Sequence, residues 1–210
     1  TASGMADIKV IELKGLSADT EGKIQIEDFI AEGSRIELDL PSLRLSTGSF
    51  SIKENRFSSL DEVNMEYHTE KDTAKVLISR ISLVPLINKS LTKKYPVFQE
   101  IELQNPVIYA SIRPVEKDEA PSDDKDEKNF MLETGLFQLS NGKVNFNLLN
   151  GTKSVQYKTA YLNTNIKDIS VGKEDMLFSM GAFNVVSKRF DLKINDSIDL
   201  YSEPGKFEMA

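Results

Sequence analysis

Apolar and polar residues alternate with a period of two along most of the chain. Lys23-Ile-Gln-Ile-Glu27, Arg35-Ile-Glu-Leu-Asp-Leu40, Glu100-Ile-Glu-Leu-Gln104, Lys143-Val-Asn-Phe-Asn-Leu148 and Phe190-Asp-Leu-Lys-Ile194 all show it. Alternation over roughly four to eight residues marks a strand with one apolar and one wet face. About a dozen such runs predict an all-β protein, mainly antiparallel, with a curled or layered sheet. Asn141-Gly142 and Asn150-Gly151 lie between alternating runs and predict hairpin turns, because Asn and Gly tolerate positive φ. One or two short helices are expected. The first covers 83–94, with apolar residues at 83, 86, 87 and 91 on one face and lysines in its last turn. The second is a single turn at Ser58–Glu62.

Internal similarity supports growth of the sheet by repetition. Ile101–Ile112 aligns without a gap to Phe137–Leu148, 36 residues further on, and Asn105-Pro106 answers Asn141-Gly142. Phe29–Leu40 is a looser third copy. The expectation is a unit of strand, turn and strand, repeated within a single β-rich domain over 5–210. Residues 1–4 read as a leftover of cloning. The stretch 116–128 holds seven acids, three bases and no large apolar residue, and is expected to be a mobile loop. It is no calcium loop of the EF-hand type, since Lys128 stands where the Gly belongs and Thr134 where the Glu belongs.

The apolar faces are the candidate working surface. Ile36, Leu38 and Leu40, then Ile108, Ala110 and Ile112, then Val144, Phe146 and Leu148, each form a stripe. Two readings fit this alternation equally. The stripes close on one another as a sandwich core, or they stay open as a trough that shields acyl chains.

Composition removes most chemistry. The chain has no cysteine, no tryptophan and one histidine, so thiol nucleophiles, zinc ribbons and multi-imidazole metal sites are excluded, and no cofactor is expected. His68, in Glu66-Tyr-His-Thr-Glu70, reads as a surface residue. No nucleophile elbow, P-loop or dinucleotide-binding glycine motif occurs. The chain is therefore read as non-enzymatic; a hydrolase with an unrecognised carboxylate pair is the third-ranked reading. Asn88, Asn150 and Asn195 match the glycosylation sequon, a pattern short enough to arise by chance. The net charge is −7, of which −4 lies in 116–128, so the remainder is nearly neutral. No basic stripe suits nucleic acid, whereas hydrophobic lipid binding needs apolar surface rather than charge. No apolar run approaches the roughly 20 residues of a membrane-spanning helix.

Ile78-Ser-Arg-Ile-Ser-Leu-Val-Pro-Leu-Ile87, followed after a polar interval by Phe98-Gln-Glu-Ile-Glu-Leu-Gln-Asn-Pro-Val-Ile-Tyr109, resembles the AsmA-like proteins of bacterial envelopes. A variable polar insertion and an Asn-Phe restart (Asn129-Phe130), then Phe137–Phe146 and Tyr161–Ile169, are similar to that family's next segments. The resemblance covers roughly residues 75–172. It implies a repeating β-groove domain on the periplasmic side of the envelope, held by an N-terminal membrane anchor outside these residues. The implied role is assistance in lipid transport or outer-membrane assembly, with phospholipid or another acyl lipid as partner. The resemblance transfers no catalytic residue. The alternative is a surface-exposed β-sandwich adhesion or scaffold module binding protein or glycan.

Overall fold

The structure is a computed structural model that describes all residues except 1, 19, 21–22, 70–71, 114–130, 151–152, 174–175, 196–197, 203–204 and 210. Its strands are β1 (Ser3–Lys14), β2 (Ser17–Ala18), β3 (Ile24–Gln25), β4 (Asp28–Asp39), β5 (Leu43–Thr47), β6 (Ser49–Lys53), β7 (Ser58–His68), β8 (Thr73–Pro85), β9 (Val97–Gln104) and β10 (Val107–Ile112). They continue with β11 (Leu132–Asn150), β12 (Lys153–Lys173), β13 (Met176–Ser179), β14 (Phe183–Ser187), β15 (Arg189–Ile194), β16 (Ile198–Ser202) and β17 (Gly205–Met209). One helix, α1 (Ile87–Lys93), lies between β8 and β9. The protein is all-β, as the alternation predicts, and mostly antiparallel.

Fifteen of these strands form one sheet, and β2 and β3 pair separately. Several segments lie end to end and share one position across the sheet, as β5 with β6 and β9 with β10 do. Hairpin connections make most neighbours antiparallel. The exception is β11, which runs parallel to both β9 and β10. A parallel neighbour requires the chain to return the full length of the strand before pairing. The predicted acidic loop, 116–128, lies outside the described residues.

The 36-residue similarity proves to be the pairing register. Ile101 sits beside Phe137, Leu103 beside Leu139, Ile108 beside Val144, Ala110 beside Phe146 and Ile112 beside Leu148. The predicted turns inside these copies are corrected. Asn141-Gly142 lies within the continuous strand β11, and Asn105-Pro106 joins β9 to β10 in line. Each copy is one long strand with an interruption, not a hairpin. Asn150-Gly151 does mark a reversal, since Asn150 pairs with Lys153 across the antiparallel β11–β12 pair.

The interruptions line up. Positive φ occurs at Glu62 in β7, Asn105 between β9 and β10, Asn141 in β11 and Tyr161 in β12, all at one level of the sheet. Gly48, between β5 and β6, lies at the same level opposite Glu62. This crease adds one residue to each strand, which reverses the alternation. In β7 the apolar positions are Leu60 before it and Val63, Met65 and Tyr67 after it. In β11 they change from Phe137 and Leu139 to Val144, Phe146 and Leu148. A one-residue slip sends every later side chain to the other face. Here each strand slips at the same level, so pairing and facing both survive.

Four of the buried apolar side chains flank this line, Phe50, Val63, Ile78 and Leu139, at 2–8% exposure; Leu83, Val84, Val97 and Ile169 are buried to the same degree away from it. Buried hydroxyls there are satisfied. Those of Thr159 and Ser187 lie 2.7 Å apart, and both reach the Arg189 carbonyl. Gly33, packed under the Phe50 ring, has no room for a Cβ, which would stand 2.2 Å from the Asp7 carbonyl oxygen.

The helix is shorter than predicted, because Leu83–Pro85 complete β8. Its first turn is held from outside: Ile87 N–H donates to Glu54 Oε2 (2.6 Å), and the Asn88 amide exchanges hydrogen bonds with both backbone groups of Ile26 (2.8 Å each). The predicted turn of helix at Ser58–Glu62 is instead the start of β7, whose residues pair with β6 and β8. Long-range pairing overrides local propensity there.

Asn141 gives a direct test of the crease. Left-handed backbone costs an L-residue about 1–2 kcal/mol, and Asn and Gly least. In urea titration Asn141→Gly should leave stability within about 0.5 kcal/mol of the parent, while Asn141→Val should lower it by about 1–2 kcal/mol.

Candidate functional site: an uncovered apolar sheet face

Cross-strand pairing assembles the alternating residues into rows that run across the sheet. Leu38 pairs with Leu45, Leu45 with Met65, Met65 with Val76, Val76 with Ile108, and Ile108 with Val144. A second row runs Leu43, Tyr67, Ala74, Ala110, Phe146, Tyr157, Leu192, Leu200. A third runs Ile112, Leu148, Val155, Ile194, Ile198. Tyr157 and Phe190 add a tilted ring contact with centroids 6.1 Å apart.

The structure therefore brings together Leu38, Ile108, Ala110, Ile112, Val144, Phe146 and Leu148 from three separate stripes. Ile36 pairs with Thr47 at the edge of the crease, and its N–H donates to the Thr47 hydroxyl (3.1 Å). Leu40 joins no row: it sits in the turn after β4, exchanging backbone hydrogen bonds with Leu43. Leu45, Met65, Val76 and Tyr157 complete the rows and belong to no predicted stripe. The signal for them was present as alternation in Val63-Asn-Met-Glu-Tyr67, but only pairing shows that they continue the same surface.

None of the nine stripe residues is buried, and Leu38 and Ile112 keep 36% and 39% exposure. Among the described residues no second sheet of comparable size stands against the rows. The total accessible surface, 14,421 Å², far exceeds the about 9,800 Å² expected of a compact monomer of this mass. The excess belongs to a sheet with two accessible faces.

The opposite face is polar and carries the charges in cross-strand pairs. Arg44 meets Asp39 (3.2 Å), Lys75 meets Glu66 (2.7 Å), and Arg80 meets Asp61 (2.6 Å), which also accepts from Ser49 (2.9 Å). Hydrogen bonding from Arg80 holds the Asp61 carboxyl below the ordinary range, against a smaller opposing effect of burial. Glu66 is lowered in the same way by Lys75, and Glu32 by Ser51 and Lys53. These pairs are exposed, so solvent screens them and they add little to stability. His68 lies exposed at the end of β7 on this side. Two of the three sequon asparagines are structurally engaged: Asn88 in the contacts above, and Asn195, whose Oδ1 accepts from Ser154 N–H (2.8 Å). Among the described residues no cluster of three metal-ligating side chains occurs, and no helix is long and apolar enough to cross a membrane.

Comparison of the chain with protein-family models, with curated protein sequences and with solved structures returns no match.

Acid titration tests the polar face. A carboxyl whose folded pKa is depressed stabilises the fold above its unfolded pKa, and that contribution is lost as pH falls through the folded value. Stability should accordingly decline below about pH 4. Asp61→Asn should make that acid limb shallower in urea midpoints measured from pH 6 downwards.

Proposed function

We propose that this chain is a non-enzymatic, lipid-handling domain of an AsmA-like envelope protein. It works on the periplasmic side, in lipid transport or outer-membrane assembly, by shielding acyl chains on its apolar sheet face. The observation that carries this reading is the set of continuous apolar rows without a second layer. Exposed apolar area of this extent in a soluble chain marks an interaction surface. The row from Leu38 to Val144 crosses six neighbouring strand positions, about 24 Å at 4.8 Å per step. One bilayer leaflet's hydrocarbon is about 15 Å thick, so an acyl chain laid along the row fits within it.

The charge pattern suits the same role. The ion pairs beside the rows, Asp39–Arg44 and Glu66–Lys75, lie on the opposite face, so an acyl chain on the rows desolvates neither. Affinity then comes from apolar burial, about 0.8 kcal/mol per CH₂ removed from water, and needs no catalytic group. A closed sandwich module requires a second sheet of similar size against these rows, and β2–β3 is too small to provide it.

Mass spectrometry of the purified domain should detect co-purifying phospholipid or another acyl lipid. Phe146→Asp and Ile108→Asp place a carboxylate in the middle of the rows. Each should cut binding of fluorescently labelled phosphatidylethanolamine at least tenfold while the far-ultraviolet circular dichroism stays unchanged. A lipid-free domain that also fails to take up the labelled lipid, or global unfolding of both variants, would sink the reading.

A further inference from the structure

The lipid reading leaves the polar face unused, and that face holds a sizeable cavity. It is an open trough of about 690 Å³, floored by β5, β7, β8, β10 and β11 and flanked by the turn at 40–43. Five neighbouring strands at 4.8 Å spacing make it about 19 Å long, within the size range of small-molecule sites.

We propose that this trough binds a neutral oligosaccharide. Its charges already cancel: Asp39 is paired with Arg44 and Glu66 with Lys75, so a charged ligand meets no net attraction. The groups left to a ligand are uncharged and of mixed donor and acceptor character. Tyr109 lies in the floor, 46% exposed, between Lys75 on one neighbouring strand and Asn145 on the other. Ser111 and Asn147 are paired in the adjacent row, with Thr73 opposite Ser111. Amides and hydroxyls that both donate and accept match sugar hydroxyls, which do the same. An exposed phenol ring adds an apolar surface for a sugar ring to lie on.

A neighbouring hollow of about 450 Å³ extends the site, sharing Asp39, Arg44 and Glu66 with the trough. Asn64 lines it, and its Oδ1 is a buried acceptor with no donor among the described residues. An extended peptide is disfavoured on geometry. Peptides bind sheets by adding to a free edge, whereas each strand in this floor is paired on both sides. The lipid and sugar sites would thus occupy opposite faces of one sheet and act independently.

Calorimetric titration of the whole chain with cellotetraose and with chitotetraose tests this, with tetraglycine as the peptide control. At least one sugar should bind saturably. Tyr109→Leu and Asn145→Ala should each weaken it at least tenfold, leaving circular dichroism and labelled-lipid binding unchanged. Both positions are accessible, and the second variant keeps the test decisive if the first unfolds. No heat from either sugar at 10-millimolar order, binding that survives both variants, or equal binding of tetraglycine would overturn the proposal. Loss of lipid binding in Phe146→Asp with sugar binding intact would separate the two faces.

Discussion

Everything in this sheet depends on keeping one face apolar across an interruption that every long strand shares. A strand's side chains alternate strictly, so a single extra residue exchanges the two faces from that point on. An isolated interruption would thrust half of one strand's apolar residues into the polar face beside paired ions. The fold avoids this by slipping all the strands together, from Asp7-Ile8 and Gly33 at one side through Gly48, Glu62, Asn105, Asn141 and Tyr161. Between β7 and β8 the register passes through the crease unbroken, from Asp61–Arg80 to Val63–Ile78, and between β11 and β12 it shifts at Gly142 and is recovered by Val144–Thr159.

Part of the packed core lies along the crease. Phe50, Val63, Ile78 and Leu139, with the hydroxyls of Thr47, Thr159 and Ser187, are buried beside it, while the rows beyond stay half-exposed. A sheet so built is stabilised by its ladder of backbone hydrogen bonds and by side-chain contacts along the rows. Among the described residues it lacks the second layer that supplies most of the apolar burial in an ordinary domain. Any ligand that covers the rows adds binding free energy to folding free energy by mass action. Under the proposed function, binding and stability would draw on the same half-covered face.

Much of this was legible before the structure. Period-two alternation identified the all-β class, because no other regular element places every second residue on one face. The similarity between 101–112 and 137–148 was legible as well, although its meaning was not. A hairpin and an interrupted strand share the same local grammar, alternation, then Asn with Gly or Pro, then alternation. Asn at positive φ serves a turn and a kink alike, so Asn105 and Asn141 suggested reversals where the chain runs straight on. At Ser58–Glu62 local propensity gave way to pairing with strands far along the chain.

By itself, then, the sequence determined the class of structure, the existence of apolar stripes and the absence of thiol and multi-histidine chemistry. Those are properties of residue identity and of spacing along one strand. Tertiary structure decided which stripes meet, that Leu45, Met65 and Val76 bridge Leu38 to Ile108, and that Leu40 stands apart in a turn. It also decided that the charges face away from the rows and that the rows lie half-exposed. Alternation records that two faces differ but carries no information about what, if anything, covers them. Covering is set by register and by the placement of strands distant in sequence, which only the folded sheet brings side by side.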